Sequence, residues 1–234
     1  MKRFTILIVY FLFLWFKYFF EIYGDDSLKI TTVFSKTGDA VLASSYLGGK
    51  FLVLGNIDYG LDRYIEGNPP DRCFIDYLYI TPEANLVTFY RLLERCGVGT
   101  VFYREKDFYA RKINLKLRNI LKTQDLGNSE DEVEIDLNGV SVRIYRDNRV
   151  EFGSNGISFF ALGSKESMGV EKLSSESVDY LKPPFNAANA SINPLSAKNV
   201  LCSFKICLRN PEDYEIPGVN IIRSEDGESI VIKR

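Results

Sequence analysis

The spacing of apolar and polar positions predicts short strands with a few helices between them. Leu28 to Ser35 is rich in β-branched residues, and Lys36-Thr37-Gly38-Asp39 reads as a turn. Ala40 to Ser45 and Phe51 to Leu54 give the next strands, joined through Gly48-Gly49-Lys50, so the domain opens on a β-meander. Cys73 to Ile80 reads as a buried strand. Pro82-Glu83 then begins a helix running to about Cys96, because Leu86, Phe89, Leu92 and Leu93 recur at helical spacing. Gly97 and Gly99 stop it, and Thr100 to Tyr103 forms another strand. Phe108 to Leu121 predicts a second helix. After a polar loop at Asn128 to Asp131 come strands at Val133 to Leu137, Val140 to Tyr145 and Ile157 to Leu162. The last third has strands near Val178 to Leu181 and Asn199 to Phe204, on either side of a Pro/Asn/Ala-rich loop. A hairpin through Asp226-Gly227 then joins Val219 to Arg223 with Ser229 to Ile232. Strands in both halves with helices inserted between them predict two stacked sheets covered by helices.

The first residues follow a different pattern. Lys2 and Arg3 precede the uncharged, apolar stretch Phe4 to Phe16, and Tyr18 to Phe20 extend it past Lys17. Counted through Phe20 it reaches the ~17 residues at the short end of a spanning helix. A cleaved signal peptide needs small residues just after its apolar region, whereas here Phe20-Glu21-Ile22-Tyr23 are mostly bulky. Residues 1–23 are therefore expected to be a single-pass transmembrane anchor. The basic residues precede it and Glu21, Asp25 and Asp26 follow, which puts the domain of residues 24–234 outside the cytoplasm.

Composition narrows the chemistry. The chain has no histidine, which excludes Ser-His-Asp, Cys-His and imidazole-based metal mechanisms. The formal net charge of -2 is not that of a polyanion binder. Cys73, Cys96, Cys202 and Cys207 lack C-x-x-C spacing. They are read as buried small residues or one structural disulfide rather than a zinc site, with three pairings open.

Several blocks, in order, resemble the metallo-β-lactamase-like domain that ends the ComEC competence proteins, which form a DNA-uptake channel. Thr37-Gly38-Asp39-Ala40 and Gly48-Gly49-Lys50-Phe51-Leu52-Val53-Leu54 are similar to that family's opening turn and its Gly-Gly-Lys strand. Tyr79-Ile80-Thr81-Pro82-Glu83-Ala84-Asn85-Leu86 resembles the strand leading into Thr-His-Pro-His-Ala-Asp-His. Val98-Gly99-Thr100-Val101 matches the block after the following helix. Ile157 to Ser164 resembles the strand ending in Thr-Gly-Asp. Asp179-Tyr180-Leu181-Lys182-Pro183-Pro184-Phe185-Asn186 is similar to Asp-Val-Leu-Lys-Val-Pro-His-His, and Ile222 to Gly227 to the closing hairpin. The resemblance implies an α/β fold. Its form would be a metallo-β-lactamase-like αββα sandwich of two stacked mixed sheets flanked by helices, preceded here by the transmembrane helix.

The family's two metal ions need imidazoles and carboxylates to activate water. Its first histidines fall on Thr81, Glu83 and Leu86, and its aspartate on Asn85. The later histidine pair falls on Phe185 and Asn186, the bridging aspartate on Ser164, and the aspartate closing the third strand on Gly55. One carboxylate does not make a metal site. The resemblance, so departed from, implies a catalytically inactive domain with no cofactor. It would act by binding or scaffolding beside a membrane channel or envelope protein, in DNA uptake or in the cell envelope. The rival readings are a hydrolase of the same fold with a rearranged site using Glu83, Asp39 and Ser164, and an envelope protein with no ligand.

Three further features bear on function. Asp39 has the plainer role of bonding the backbone of its turn. Glu130-Asp131-Glu132 reads as a solvated loop. Arg104, Lys106, Arg111, Lys112, Lys116, Arg118 and Lys122 lie among Tyr103, Phe108 and Tyr109. Interleaved basic and aromatic side chains can track a phosphate backbone and stack bases. Arg111, Lys112, Lys116 and Arg118 are therefore candidates for weak DNA binding. The plainer account is the polar face of an amphipathic helix whose other face is Ile113, Leu117, Ile120 and Leu121.

Overall fold

The structure, a computed structural model, describes residues 8–15, 17, 28–35, 37–45, 47–58, 61, 65, 73–104, 122–126, 132–162, 178–182, 197–203, 220–224 and 229–232. The strands of the first sheet are β1 (Leu28–Phe34), β2 (Asp39–Ser45), β3 (Lys50–Leu54), β4 (Phe74–Ile80), β5 (Gly97–Tyr103) and β6 (Lys122–Asp125). The second has β7 (Val133–Leu137), β8 (Val140–Ile144), β9 (Arg149–Ser154), β10 (Ile157–Leu162), β11 (Val178–Lys182), β12 (Ala197–Ser203) and β13 (Asn220–Ser224). The chain then crosses back, and β14 (Ser229–Ile232) pairs with β1.

Both sheets are seven-stranded and mixed, in the orders β14-β1-β2-β3-β4-β5-β6 and β13-β12-β11-β10-β9-β8-β7. Each is half meander and half parallel. The strands from β1 to β3 and from β7 to β10 are antiparallel neighbours, whereas those from β3 to β6 and from β10 to β13 run parallel. The antiparallel halves follow from their turns. Asn138-Gly139 and Asn155-Gly156 each link two strands through two residues, with φ of 51° and 87° in the first pair and 53° and 77° in the second. Asparagine and glycine tolerate this left-handed conformation, and the resulting turn matches strand twist.

Alternation along the strands builds three apolar clusters, one between the sheets and one on the outer face of each, the second sheet's being Phe160, Val178, Leu181, Ala197 and Val200. Leu28, Ile30, Val41, Ala43, Phe51, Val53, Tyr79 and Phe102 of the first sheet meet Leu137, Val142, Ile144, Val150, Phe152, Phe159 and Leu201 of the second, so the sheets pack face to face. On the other side of the first sheet, Leu42, Leu52, Leu54, Leu78 and Val101 pack under Phe89 and Leu92 of the helix Leu86–Arg95. Asn85 caps that helix by accepting a 3.0 Å bond from the Val87 amide. At its other end Cys96 is joined to Cys73, at the start of β4, by a disulfide with Cα atoms 4.6 Å apart. Closing this loop contributes roughly 3 kcal/mol by the chain-entropy account. Full burial of Phe89 or Leu92 contributes a comparable ~1.5–3 kcal/mol each.

Two expectations are corrected here. The αββα metallo-β-lactamase-like sandwich is not what the described residues form. The fold is mostly β-sheet, and the helix Leu86–Arg95 covers one sheet without a described helical counterpart on the other. From Val133 to Leu162 the strands follow one another through short turns, leaving no room for an inserted helix. The helix expected over residues 108–121 lies outside the described residues. The transmembrane helix, and with it single-pass membrane localisation, is corrected too. No helix among the described residues is long and apolar enough to cross a membrane. Among the described residues the N-terminal stretch is helical at residues 8–15 and 17, with Ile8 to Trp15 exposed. Residues 8–15 rise only ~12 Å at 1.5 Å per residue, against a hydrocarbon core of ~30 Å. Apolar composition bounds the length of a span but does not fix the length of a helix.

Candidate functional site at the strand ends

One end of the molecule gathers the buried polar residues Thr81, Arg104, Asn148, Arg149 and Lys182. Because β3, β4 and β5 run parallel and β2 opposes them, the start of β2 and the ends of β3 and β4 lie together, with Ala40 opposite Leu54 and Leu54 opposite Ile80. Tyr79, near the end of β4, and Arg104, following β5, reach the β8–β9 turn of the second sheet. The end of β11 reaches the same region through Lys182. Loops beyond the carboxyl ends of parallel strands are where α/β sheets place their ligands, which makes this end the candidate site.

Its centre is an ion pair between the sheets. Lys182 has a side chain only 2% exposed and donates from Nζ to Oδ2 of Asp39, itself 13% exposed. Removing two charges from water is expensive, and only close pairing offsets the cost. Gly55 leaves room for the aspartate: a Cβ there would lie 2.4 Å from the Asp39 carbonyl oxygen and 3.1 Å from its Oδ1. Gly38 does the same for the facing turn, since its Cβ would lie 2.0 Å from the Asn56 carbonyl oxygen. Thr37 Oγ1 ties the two turns together by donating to that oxygen at 3.1 Å.

Two more bonds cross between the sheets nearby. The Tyr79 hydroxyl donates to Asn148 Oδ1 at 2.5 Å, and Arg104 Nη2 donates to the Tyr145 carbonyl at 2.8 Å. Asn148 sits at φ 66° in the turn between β8 and β9. The Arg149 guanidinium lies 4.6 Å from the centre of the Tyr145 ring, a cation–π distance, with Nε 2.7 Å from Asp147 Oδ2. Burial raises the Tyr145 phenol well above its usual range, and the short bond to Glu151 and that carboxylate's charge push the same way.

Five of the positions suggested by the sequence, Gly55, Thr81, Glu83, Asn85 and Leu86, fall among the described residues. Thr81 is buried, and both its hydroxyl and its amide donate to the Leu54 carbonyl, at 3.0 and 3.1 Å. Asn85 donates its amide to the Gly55 carbonyl at 3.3 Å while its side chain caps the helix. Leu86 begins the helix and packs on the outer core of the first sheet. Glu83 is exposed in the turn before it. Gly55, Thr81 and Asn85 are thus brought together, each with a structural task. Ser164, Phe185, Asn186, Arg111, Lys112, Lys116 and Arg118 lie outside the described residues. Among the described residues, no three His, Cys, Asp or Glu side chains are grouped to hold a metal ion.

Tyr79, Asn148 and Lys182 are not singled out by the sequence as site residues, and Arg104 enters there only as part of the basic stretch. The available signal was Lys182 itself, a lysine closing the strand Val178–Lys182 whose Val178 and Leu181 are buried.

No family model and no curated protein matches the chain. Among solved structures, it has a likeness to the bacillithiol disulfide reductase Bdr (YpdA) from Bacillus cereus. Identity is 15%, covering 58% of this chain and 47% of that one, with a TM-score of 0.21. So low a score carries no argument about fold or activity.

Proposed function

We propose that this domain works by binding or scaffolding and not by catalysing a reaction. The observation that carries this reading is the pairing of Asp39 with Lys182. Asp39, a carboxylate at the strand ends, is neutralised by a buried ammonium, and the pair bolts one sheet to the other. Around it, the Thr81 hydroxyl is spent on the Leu54 carbonyl and the Asn85 side-chain oxygen on the Val87 amide. A general base must be free to take a proton from a substrate in reach, and a satisfied ion pair is not. DNA is the proposed ligand, on the strength of the basic and aromatic residues between Tyr103 and Lys122.

Elemental analysis and phosphodiester hydrolysis on the full chain, prepared with added zinc or manganese, test the non-catalytic half. Background hydrolysis and no stoichiometric metal are expected. Metal-dependent turnover abolished by Glu83→Gln would replace this reading with that of a rearranged hydrolase.

A further inference from the structure

The disulfide has a position that matters beyond stability. Cys73 and Cys96 belong to one excursion of the chain, which leaves the first sheet at the end of β4 and returns at β5. The closed loop contains β4, the turn from Thr81 to Asn85, and the helix. Once the bond is broken, these parts are held very differently. β4 stays zipped between β3 and β5 by ladders on both sides, from Phe51 opposite Tyr77 to Tyr79 opposite Phe102. The ten-residue helix buries only Thr88, Phe89 and Leu92. A helix of that length is marginal without tertiary support. Its first turn is tied to the strand ends by the Asn85 amide on the Gly55 carbonyl, and by Thr88 Oγ1 donating to the Ile57 carbonyl at 2.6 Å.

We propose that Cys73–Cys96 is a redox latch. Its reduction releases the helix Leu86–Arg95 and the turn before it from the first sheet, leaving both sheets intact. The release bares the apolar face formed by Leu42, Leu52 and Leu78 and loosens the rim of the strand-end site, because Asn85 belongs to both. The chemistry is ordinary exchange with a dithiol reductant. A thiolate of the reductant attacks one sulfur, the Cys73–Cys96 bond breaks, and a mixed disulfide forms. The reductant's second thiol resolves it, so Cys73 and Cys96 gain two electrons and two protons and the dithiol becomes a disulfide. Both cysteines are buried, but exposed Phe74 and Gly97 adjoin them and the exposed Glu94 and Arg95 form the last helical turn. Fraying of that turn gives the reductant its approach.

Hydrogen exchange on the full chain tests the latch, comparing the oxidised protein with protein reduced by dithiothreitol and with the Cys73→Ser, Cys96→Ser double variant. Reduction should speed exchange roughly tenfold or more in peptides spanning residues 81–96, with β7 to β10 unchanged and reoxidation restoring protection. The double variant should behave like reduced protein. Unaltered exchange in residues 81–96 overturns the proposal. Acceleration spread evenly over both sheets, or outright unfolding on reduction, overturns it equally, since the bond would then be a general staple.

Discussion

Lys182 reaches from the end of β11 in one sheet to Asp39 at the start of β2 in the other, and the two form a nearly buried ion pair. Removing one partner leaves the other charged and without its counter-ion. Asp39→Ala or Lys182→Ala should each cost about 3–5 kcal/mol. The combined Asp39→Ala, Lys182→Met protein should lose much less than the sum, because an apolar pair leaves no stranded charge. Denaturant unfolding of the four proteins measures the coupling, and simple additivity would sink the idea that the two groups act as a pair.

Tyr79 and Asn148 form a second bolt, and here backbone and side chain can be separated. Asn148→Gly keeps the φ of 66° accessible but deletes the acceptor, with an expected cost of about 1–3 kcal/mol. Asn148→Ala should cost about 1–2 kcal/mol more, since a Cβ disfavours the left-handed region. Thermal melts of both variants give the ranking, and equal losses would remove the backbone from the explanation.

Tyr145 supplies a pH signature. Its pKa is raised in the folded state, by burial first and then by Glu151, so folding favours the protonated phenol. That contribution is fully present below the ordinary tyrosine pKa of ~10 and is lost as pH rises from there through the higher folded value. Stability should therefore fall above pH ~10, and Tyr145→Phe should remove part of the fall. Tyrosinate absorbance should show a late-titrating phenol among the 14 tyrosines that is missing from the variant. Titration of Tyr145 with the bulk of the tyrosines would contradict this.

DNA binding through the basic stretch should have no sequence preference and should weaken steeply with salt, because each neutralised phosphate releases counter-ions. Replacing Arg111, Lys112, Lys116 and Arg118 together by glutamine should flatten the salt dependence and leave the melting temperature nearly unchanged. Filter binding across a salt series reads both arms. An unchanged slope would return these residues to an ordinary solvated surface.

Much of the strand pattern is legible in the sequence, because alternation marks half-buried strands and both Val133–Leu137 and Ile157–Leu162 are read to the residue. The strand Arg149–Ser154 was missed. Arg149, Glu151 and Gly153 dilute its apolar alternation, although the Asn155-Gly156 that closes it is a hairpin signal in plain view. What periodicity cannot give is the pairing of distant elements. Asp39 looked like a turn aspartate because 143 residues separate it from Lys182. Hydropathy likewise registers an apolar N-terminal stretch without fixing how far it stays helical. The disulfide partners were indistinguishable among the four cysteines until the fold set Cys73 beside Cys96.

The pairing of Leu28 with Ile232 has a consequence for synthesis. The first sheet gathers β1 to β6 as they emerge from the ribosome, but β14, the other neighbour of β1, is made only after the whole second sheet. Until β14 arrives, β1 presents a bare row of amides and carbonyls, and such a pairing across nearly the whole chain closes slowly. A nascent chain stalled before Ser229, or one ended there by a premature stop, carries that open edge throughout its lifetime. Strand-by-strand pairing with a second such chain is its natural outlet, so the shortest effective route from this fold to aggregation is the loss of β14.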